Sequence, residues 1–463
     1  MLIPASSFAQ KIECNNTSIK DAFNLAVNVV DVNTRRGILA AGGDYGGEWT
    51  RDISINSWNG ASLLRPEVAE RSLWSVTIHK DTIGHQYWDK IIWVEAAWNH
   101  YLATGDKAFL KQAYICSANT IKQLEAQQLD AKYGLFMGPS VFNDGIAGYP
   151  EPIYEPTNYS SAVTDHRGSA YIKCLSTNCV YYGAYLALSK MAVLADPDKS
   201  NSINYAKKAL TLKNNILEHL YNRVDNTFYY LIDQNGKPYK AQEGLGISFA
   251  VIFGIINGDQ AHQLISNAVV SKYGITSIYP DFPRNSPQKP GRHNNIIWPM
   301  VNGFFAKGAI ASKSYATFDH ELFSLTHLAL DEDKGNYDFR EIYNPTTGQP
   351  DGGYQANGPS NPDYHWQSCR LQTWSATGYI SMVLNGVLGL RLNENSISFS
   401  PYLPDGIGHI ELKELHYRNS VLNVTVKGKG DKIKSFTIDG NTALAYSINA
   451  ATNGTHSVVI DVE

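Results

Sequence analysis

The stretch Tyr181-Tyr182-Gly183-Ala184-Tyr185-Leu186-Ala187-Leu188 places apolar side chains on nearly every face of a helix. Such a helix has no face for water and must be surrounded by other elements. Residues 206–219, by contrast, carry one apolar stripe, with lysine and asparagine on the opposite face. The alternation of these two kinds of segment predicts two layers of helices, an inner buried ring and an outer ring that covers it.

Segments of both kinds extend from about residue 18 to residue 390. The periodicity predicts helices over 87–104, 107–128, 177–195, 202–221, 244–256, 294–311, 315–330 and 372–390. After Leu390, alternating runs separated by turn residues predict short strands at 396–399, 410–412, 421–426, 433–438 and 457–460. The predicted organisation is a mainly α chain with a helical domain at 15–390 and a small C-terminal β-sandwich at 391–463.

The first ten residues resemble the end of a secretory leader. Ser7 and Ala9 occupy the small-residue positions of a cleavage site, which predicts a periplasmic or secreted protein with a leader-derived segment at 1–10. An ordinary chain terminus is the alternative. The five cysteines show no zinc-type spacing, and Cys174 and Cys179 could form a bridge or be buried thiols, so they do not decide the redox compartment.

The composition limits the kinds of partner. A net charge of -4 with 18% charged residues provides no basic surface for nucleic acid. The sequence contains no run of eighteen or more apolar residues, so no membrane span is predicted. A neutral ligand fits best, no metal or cofactor is implied, and the oligomeric state is left open.

A glycine-rich turn leads into Trp49-Thr50-Arg51-Asp52, and these residue types together suit a sugar ligand. The Trp49 ring offers an apolar face to the C–H side of a pyranose, while Arg51 and Asp52 supply donors and acceptors for hydroxyls. The alternative is a buried Arg–Asp pair at a helix start, with Asp52 as its N-cap.

Three long loops rich in Gly, Pro, Tyr and Asn interrupt the helical pattern, at 133–168, 279–295 and 341–372. Loops of this length within a compact domain are usually functional. We expect all three to meet at one mouth of the helical barrel.

Hydrolysis of a glycosidic bond without a metal requires two carboxyl groups. Asp144 is the candidate acid, because its neighbours Phe142 and Ile146 are expected to raise its pKa by desolvation. Glu341 in the third loop is the candidate base. An Asp-Gly turn and a salt bridge to Arg340 are the ordinary alternatives, and the same loops offer rival acids at Glu151, Glu155 and Asp165.

Two segments resemble those of a known enzyme group. Residues 47–52 resemble the Trp-Thr-Arg-Asp segment of glucoamylases, and residues 341–348 with 371–376 resemble the catalytic-base segment of the same enzymes. Trehalases, processing α-glucosidases and the glucosidase half of glycogen-debranching enzymes share their six-hairpin (α/α)6 barrel. Residues 399–404 are similar to the start of the small β domain that follows related barrels. The Trp-Glu-Glu context of the glucoamylase acid is absent here.

The resemblance implies an (α/α)6 toroid followed by a small β-sandwich, and an exo-acting, inverting glycoside hydrolase. Its expected product is a terminal sugar, α-linked glucose or else mannose, from an oligo- or polysaccharide. It further implies that Arg51 and Asp52 bind the terminal sugar, that Asp144 is the acid and that Glu341 is the base. The expected wall residues are Trp49, Trp298, Tyr354 and Trp366, with His293 and His365 as possible hydrogen-bonding partners of the substrate. A glycoside phosphorylase with the same barrel, or a non-catalytic carbohydrate-binding protein, is the alternative.

Overall fold

The computed structural model describes residues 10–47, 49–334 and 336–463. All of the predicted leader-like segment except Gln10 therefore lies outside the described residues. The helices are, in chain order, α1 (Thr17–Val32), α2 (Thr50–Asn56), α3 (Ser62–Leu64), α4 (Pro66–Ser75), α5 (Ile92–Thr104), α6 (Lys107–Gln128), α7 (Leu175–Ala195), α8 (Ser200–His219), α9 (Gly244–Ile252), α10 (Gly258–Ser266), α11 (Pro299–Ala311), α12 (Tyr315–Leu330) and α13 (Thr373–Ser381). Two π-helical segments, Ser57–Ala61 and Met382–Val387, continue α2 and α13.

Six helices form a closed inner ring. In ring order, α2, α5, α7, α9, α11 and α13 each contact the next, and α13 returns to contact α2. The partners α1, α4, α6, α8, α10 and α12 pack outside this ring, so that one outer and one inner helix form each hairpin. The architecture is an (α/α)6 toroid, as the sequence predicted.

Burial of the helices follows the two predicted layers. Every residue of the stretch 181–188 in α7 is buried except Leu186. The outer helix α8 buries only the stripe Tyr205, Ala209, Leu212 and Ile216, whose spacing of three to four residues places them on one face. The sequence contrast between all-round apolar and one-sided helices therefore corresponds to inner and outer positions.

The predicted helix ends are correct in the helices whose ends are marked by a local sequence signal. The observed α6 and α12 have the predicted bounds. The helix predicted over 294–311 instead begins at Pro299, because proline disfavours a helical conformation at the preceding Trp298, which is extended. The helix predicted over 87–104 begins only at Ile92, and α1, α2, α3, α4 and α10 were not among the predicted ranges.

Short hairpins of two-residue strands occupy many of the connections between helices. They are Thr34–Arg35 with Ile38–Leu39, Thr77–Ile78 with Thr82–Ile83, Leu129–Asp130 with Leu135–Phe136, Tyr221–Asn222 with Thr227–Phe228, Val270–Ser271 with Gly274–Ile275, and Tyr354–Gln355 with Tyr364–His365. Leu231–Ile232 pairs with both Lys173–Cys174 and Pro238–Tyr239, and Gln242–Glu243 pairs with Ile278–Tyr279.

The remaining strands are β1 (Ile12–Cys14), β2 (Leu390–Leu392), β3 (Ser396–Phe399), β4 (His409–Tyr417), β5 (Ser420–Gly428), β6 (Ile433–Ile438), β7 (Asn441–Thr442), β8 (Ser447–Asn449) and β9 (Gly454–Val462). They form a six-stranded sheet in the order β1-β4-β5-β9-β6-β7 and a three-stranded sheet in the order β2-β3-β8. All neighbours are antiparallel except β5 and β9. Asp439 and Gly440, both with positive φ, form the turn between β6 and β7.

All five cysteines are free thiols, and Cys174 and Cys179 are both buried, so the possible bridge between them is not formed. In the described parts of the chain, none of the helices combines the length and apolarity that a membrane crossing requires.

The tight connection between α5 and α6 contains a helix cap that should contribute to the stability of the protein. Gly105 ends α5 in a left-handed conformation, and the Asp106 carboxylate accepts hydrogen bonds from the backbone N–H groups of Ala108 and Phe109. Asp106→Ala removes this cap and should lower the free energy of unfolding by about 1 kcal/mol. Asp106→Asn keeps an acceptor oxygen and should lose far less. Denaturant unfolding followed by circular dichroism tests this, and an alanine variant as stable as the wild type would show that the cap contributes nothing.

Candidate active site

A cavity of about 430 Å³ lies at the end of the toroid where the inner helices begin. Trp49, Trp298 and Gln372, the residues that precede α2, α11 and α13, all line it. Each is extended, so the chain turns into its helix at the same end of the barrel. The inner ring thereby forms the floor of the cavity from the N-terminal ends of its helices.

The three long loops form the walls of the cavity, as predicted. The first loop contributes Asp144 and Ser161, the second contributes Arg292 and His293, and the third contributes Glu341, Gln355 and Trp366. The prediction that the loops meet at one mouth is confirmed.

Arg51 is shared by several acceptors. Its Nη2 donates to Asp144 Oδ2 at 2.8 Å, and its Nη1 donates to Gln86 Oε1 at 2.8 Å. Asp52 and Asp89 lie 3.6 Å from the same guanidinium, which is only 8% exposed. Asp52 lies in the first turn of α2, whose N-cap is Trp49, so the alternative in which Asp52 caps the helix is wrong.

The three carboxyl groups around Arg51 differ in their affinity for protons. Burial raises the pKa of Asp52 to about 7, against the opposing charge of Arg51. Burial likewise raises the pKa of Asp89 to about 7, and its Oδ2 is buried without a hydrogen-bond partner. Because three acids share one guanidinium, their protons belong to the cluster as a whole. Near neutral pH the cluster thus retains protons that isolated aspartates would have lost.

The expected reason for a protonated Asp144 is wrong. Burial does raise its pKa, but the charge of Arg51, the hydrogen bond from Arg51 and the charge of Arg292 outweigh burial and hold the pKa below its ordinary value. The apolar neighbours in sequence do not decide the matter, because the side chain points to Arg51 and is 29% exposed in the cavity. Asp144 is therefore an ionised partner of Arg51.

Glu341 is held by a separate set of donors. Arg292 Nη2 donates to its Oε1 at 2.9 Å, while the Tyr45 hydroxyl and the backbone N–H of Cys369 donate to its Oε2 at 3.0 and 3.2 Å. Donors alone surround the carboxyl group, which is what an ionised carboxylate requires. The alternative salt bridge to Arg340 is not formed, since Arg340 pairs with Asp338.

Two tryptophans cover the two arginines. The Arg51 guanidinium lies 5.1 Å from the centre of the Trp49 ring, and the Arg292 guanidinium lies 5.2 Å from that of Trp366. These are cation–π distances. Both rings line the cavity, and Trp49 is 41% exposed, so each ring combines a contact with its arginine and a surface open to a ligand.

Several buried polar atoms in the cavity wall lack a hydrogen-bond partner. Both ring nitrogens of His293 lack a hydrogen-bond partner. The His293 ring stacks on the Trp298 ring, with the ring centres 4.3 Å apart. Burial and the charge of Arg292 lower the pKa of His293 to about 3, so the ring is neutral. The other unpartnered atoms of the wall are the indole nitrogens of Trp88, Trp298 and Trp374, both amide atoms of Gln372, and Arg51 Nε. Buried polar groups normally have partners, and hydroxyls of a ligand would supply them here.

The remaining sequence candidates lie elsewhere. Tyr354 does not line the cavity and instead stacks on His365 at 4.3 Å, so its assignment as a wall residue is wrong. His365 is exposed and pairs with Asp351 at 2.8 Å, away from the cavity wall. None of the rival acids Glu151, Glu155 and Asp165 lines the cavity.

Sequence reasoning missed Tyr45, Gln86, Asp89 and Arg292. These residues reach the site through long-range packing, and a single Arg or Tyr in a loop carries no local signal. Among the described residues no group of His, Cys, Asp and Glu is arranged to hold a metal ion.

Solved structures share the fold at low sequence identity. A structure described as a sialidase has a TM-score of 0.70 at 15% identity, covering 91% of this chain and 39% of the other. The GH78 family rhamnosidase of Bacillus sp. GL1 has a TM-score of 0.63 at 13% identity, covering 90% and 42%. The GH63 mannosylglycerate hydrolase of Thermus thermophilus, in complex with glucose, has a TM-score of 0.60 at 16% identity, covering 77% and 98%. The chain thus spans about two fifths of the first two proteins.

A search of curated proteins found no match to the chain. Two family models do match it, the mannosylglycerate hydrolase MGH1-like glycoside hydrolase domain over residues 72–367 and the glycosyl hydrolase family 65 C-terminal domain over residues 390–444. The predicted kinship with six-hairpin glycosidases is confirmed. Because the first model covers more than half of the sequence, including both candidate catalytic carboxyl groups, the chain belongs to the family of MGH1-like glycoside hydrolase domains.

Proposed function

We propose that the protein is an exo-acting, inverting glycosidase, with Asp144 as the acid and Glu341 as the base. The supporting observation is that the two carboxyl groups line one cavity from different loops, each held by its own arginine. Separate partners allow two nearby carboxyl groups to have different protonation states, which acid–base hydrolysis requires.

A terminal sugar fits the cavity better than an internal segment of a polysaccharide. The volume of about 430 Å³ is typical of small-ligand pockets, and loops approach it from three parts of the chain. The GH63 enzyme of Thermus thermophilus was solved with glucose, which supports a hexose here. We propose α-linked glucose, or else mannose, as the released sugar.

The unpartnered polar atoms of the wall would bind the hydroxyls of that sugar. Arg51 and Asp52 lie beside this wall and reach the cavity, so they would bind the same ring. A charge-assisted hydrogen bond contributes about 1.5–3 kcal/mol. Much of the affinity for the terminal sugar would therefore come from the Arg51 cluster.

The proposed base is oriented before the substrate arrives. Glu341 is 3% exposed, and its three donors fix the direction of both oxygens. In the reaction it takes a proton from a water molecule, whose oxygen then attacks the anomeric carbon. Arg292 stabilises the carboxylate while the proton is absent.

The proposed acid must gain a proton when the substrate binds. A sugar hydroxyl that accepts a hydrogen bond from Arg51 weakens the hold of this guanidinium on Asp144, and displacement of water from the cavity raises the pKa of Asp144 further. Asp52 and Asp89, with pKa values near 7, are neighbouring groups in the cluster that would supply this proton to Asp144. Asp144 then donates its proton to the leaving oxygen.

Glu341→Gln tests the base. The substitution preserves the shape but removes the proton acceptor, and kcat should fall about a hundredfold or more. Tyr45→Phe is the matched control, because it removes one donor to Glu341 and keeps the carboxylate. Because the proton acceptor is retained, it should lower kcat far less than Glu341→Gln does. Near-normal turnover by a folded Glu341→Gln protein would remove Glu341 from the mechanism.

Asp144→Asn tests the acid. Protonation matters least when the leaving group departs readily, so the variant should lose much more activity on natural glycosides than on activated aryl glycosides. Glu151→Gln, on the same loop but outside the cavity, should retain activity on both. An equal loss on the two substrate classes in Asp144→Asn would indicate that this residue is not the acid.

A further inference from the structure

A second cavity, of about 280 Å³, lies at the opposite end of the toroid. Helix α11 shows the relation between the two cavities, because Trp298 at its start lines the first while Lys307 and Ala311 line the second. Nine residues separate Trp298 from Lys307, which corresponds to about 14 Å along a helix axis. The second cavity is thus distinct from the candidate active site.

Both π-helical segments of the inner ring line this cavity. Trp58, Asn59 and Gly60 belong to the segment Ser57–Ala61, and Leu384 and Asn385 belong to Met382–Val387. π-helical turns are rare and occur frequently at functional sites. In the first segment the helix is kinked at Gly60, whose φ and ψ are not helical, so both inner helices depart from regular α-helix at this cavity.

Two cations line the cavity without an acidic partner. Lys307 Nζ donates to Asn59 Oδ1 at 2.9 Å and lies 4.5 Å from the centre of the Trp58 ring. Arg391 donates only through Nη1, to the backbone carbonyls of Leu390 and Asn385. Among the described residues, no carboxylate oxygen lies within 4 Å of either cation. Neither side chain therefore has an ion-pair partner among these residues.

Burial at this cavity disfavours the charged form of Lys307. Burial lowers the pKa of Lys307 to about 7, and the charge of Arg391 lowers it further. Glu95, whose charge acts on Lys307, does not compensate at neutral pH because burial raises its own pKa to about 8. Asn59 is 2% exposed, and its Nδ2 has no hydrogen-bond partner. The cavity therefore presents donors and positive charge and lacks an ionised acceptor.

We propose that this cavity binds a small ligand through a carboxylate or phosphate group held between Lys307 and Arg391. Both side chains are common partners of these anions, and the buried amide of Asn59 supplies a further donor. The inner helices end here and contribute partial negative charge, about half a unit per terminus, which the charge of Arg391 offsets; a bound anion would in turn favour the protonated form of Lys307. The inference does not depend on the sugar specificity or the stereochemistry of the glycosidase.

Calorimetric titration of the full-length protein tests the proposal with two probes, inorganic phosphate and acetate, at constant ionic strength. We expect saturable binding of at least one probe to the wild type and at least tenfold weaker binding to Lys307→Gln, which keeps a donor for Asn59. Lys207→Gln, an exposed lysine on α8, is the matched control and should bind as the wild type does. Hydrolysis by Lys307→Gln should be unchanged.

The pattern of binding identifies the ligand group, since phosphate alone indicates a phosphorylated ligand and acetate indicates a carboxylate. Wild-type crystals soaked separately in each anion provide a measurement that does not depend on the variant. Density between Lys307 Nζ and the Arg391 guanidinium is expected with at least one anion. Absence of both anions from this cavity, or equal affinity in wild type and Lys307→Gln, would overturn the proposal.

Discussion

Closure of six inner helices into a ring determines where this protein can place polar groups. Each inner helix is covered by two ring neighbours and by an outer helix, so apolar residues occupy most of its length, as in α7. Polar and charged side chains are then concentrated at the helix ends. Both cavities follow from this constraint, since the N-terminal ends of the inner helices carry one and their C-terminal ends carry the other.

At the N-terminal end, the chemistry depends on how buried charge is neutralised. Arg51 has three carboxyl groups around it and Arg292 has one, so protons stay within the first group at neutral pH while donors surround Glu341 in the second. The tryptophans lie over the two guanidinium groups, and both rings also line the cavity. Two carboxyl groups thus reach one cavity in different electrostatic environments, which is the condition for dividing acid and base roles.

Much of the fold could be predicted because its signals are local. The start of α6 is marked by the Asp106 cap, and the strands after Leu390 alternate with a period of two. The π-helical segments could not be predicted, because they depend on packing such as the contact of Gly60 with Ile380, whose side chain leaves no room for a Cβ. The helix predicted over 294–311 begins five residues late, because apolar periodicity continues through 294–298 while Pro299 keeps the backbone before it extended.

The candidate site could be predicted only as a set of residues. Arg51, Asp52, Asp144 and Glu341 stood out through residue type and motif, and all of them line the cavity. Their protonation states could not be predicted, because the pKa of Asp144 depends on an arginine 93 positions away in the chain. The role of Arg292 and Tyr45 could not be predicted either, because it depends on their contacts with Glu341 in the folded chain.

In the proposed mechanism, Asp144 and Glu341 act from opposite sides of the anomeric carbon. Such a pair stands about 6.5–9.5 Å apart and admits a water molecule, whereas a retaining pair stands about 5–5.5 Å apart. The most direct measurement is proton NMR of the first-formed product from an α-linked substrate, recorded before mutarotation. We expect the β-anomer to appear first. First appearance of the α-anomer would contradict the claim and require a covalent nucleophile in place of a water-activating base.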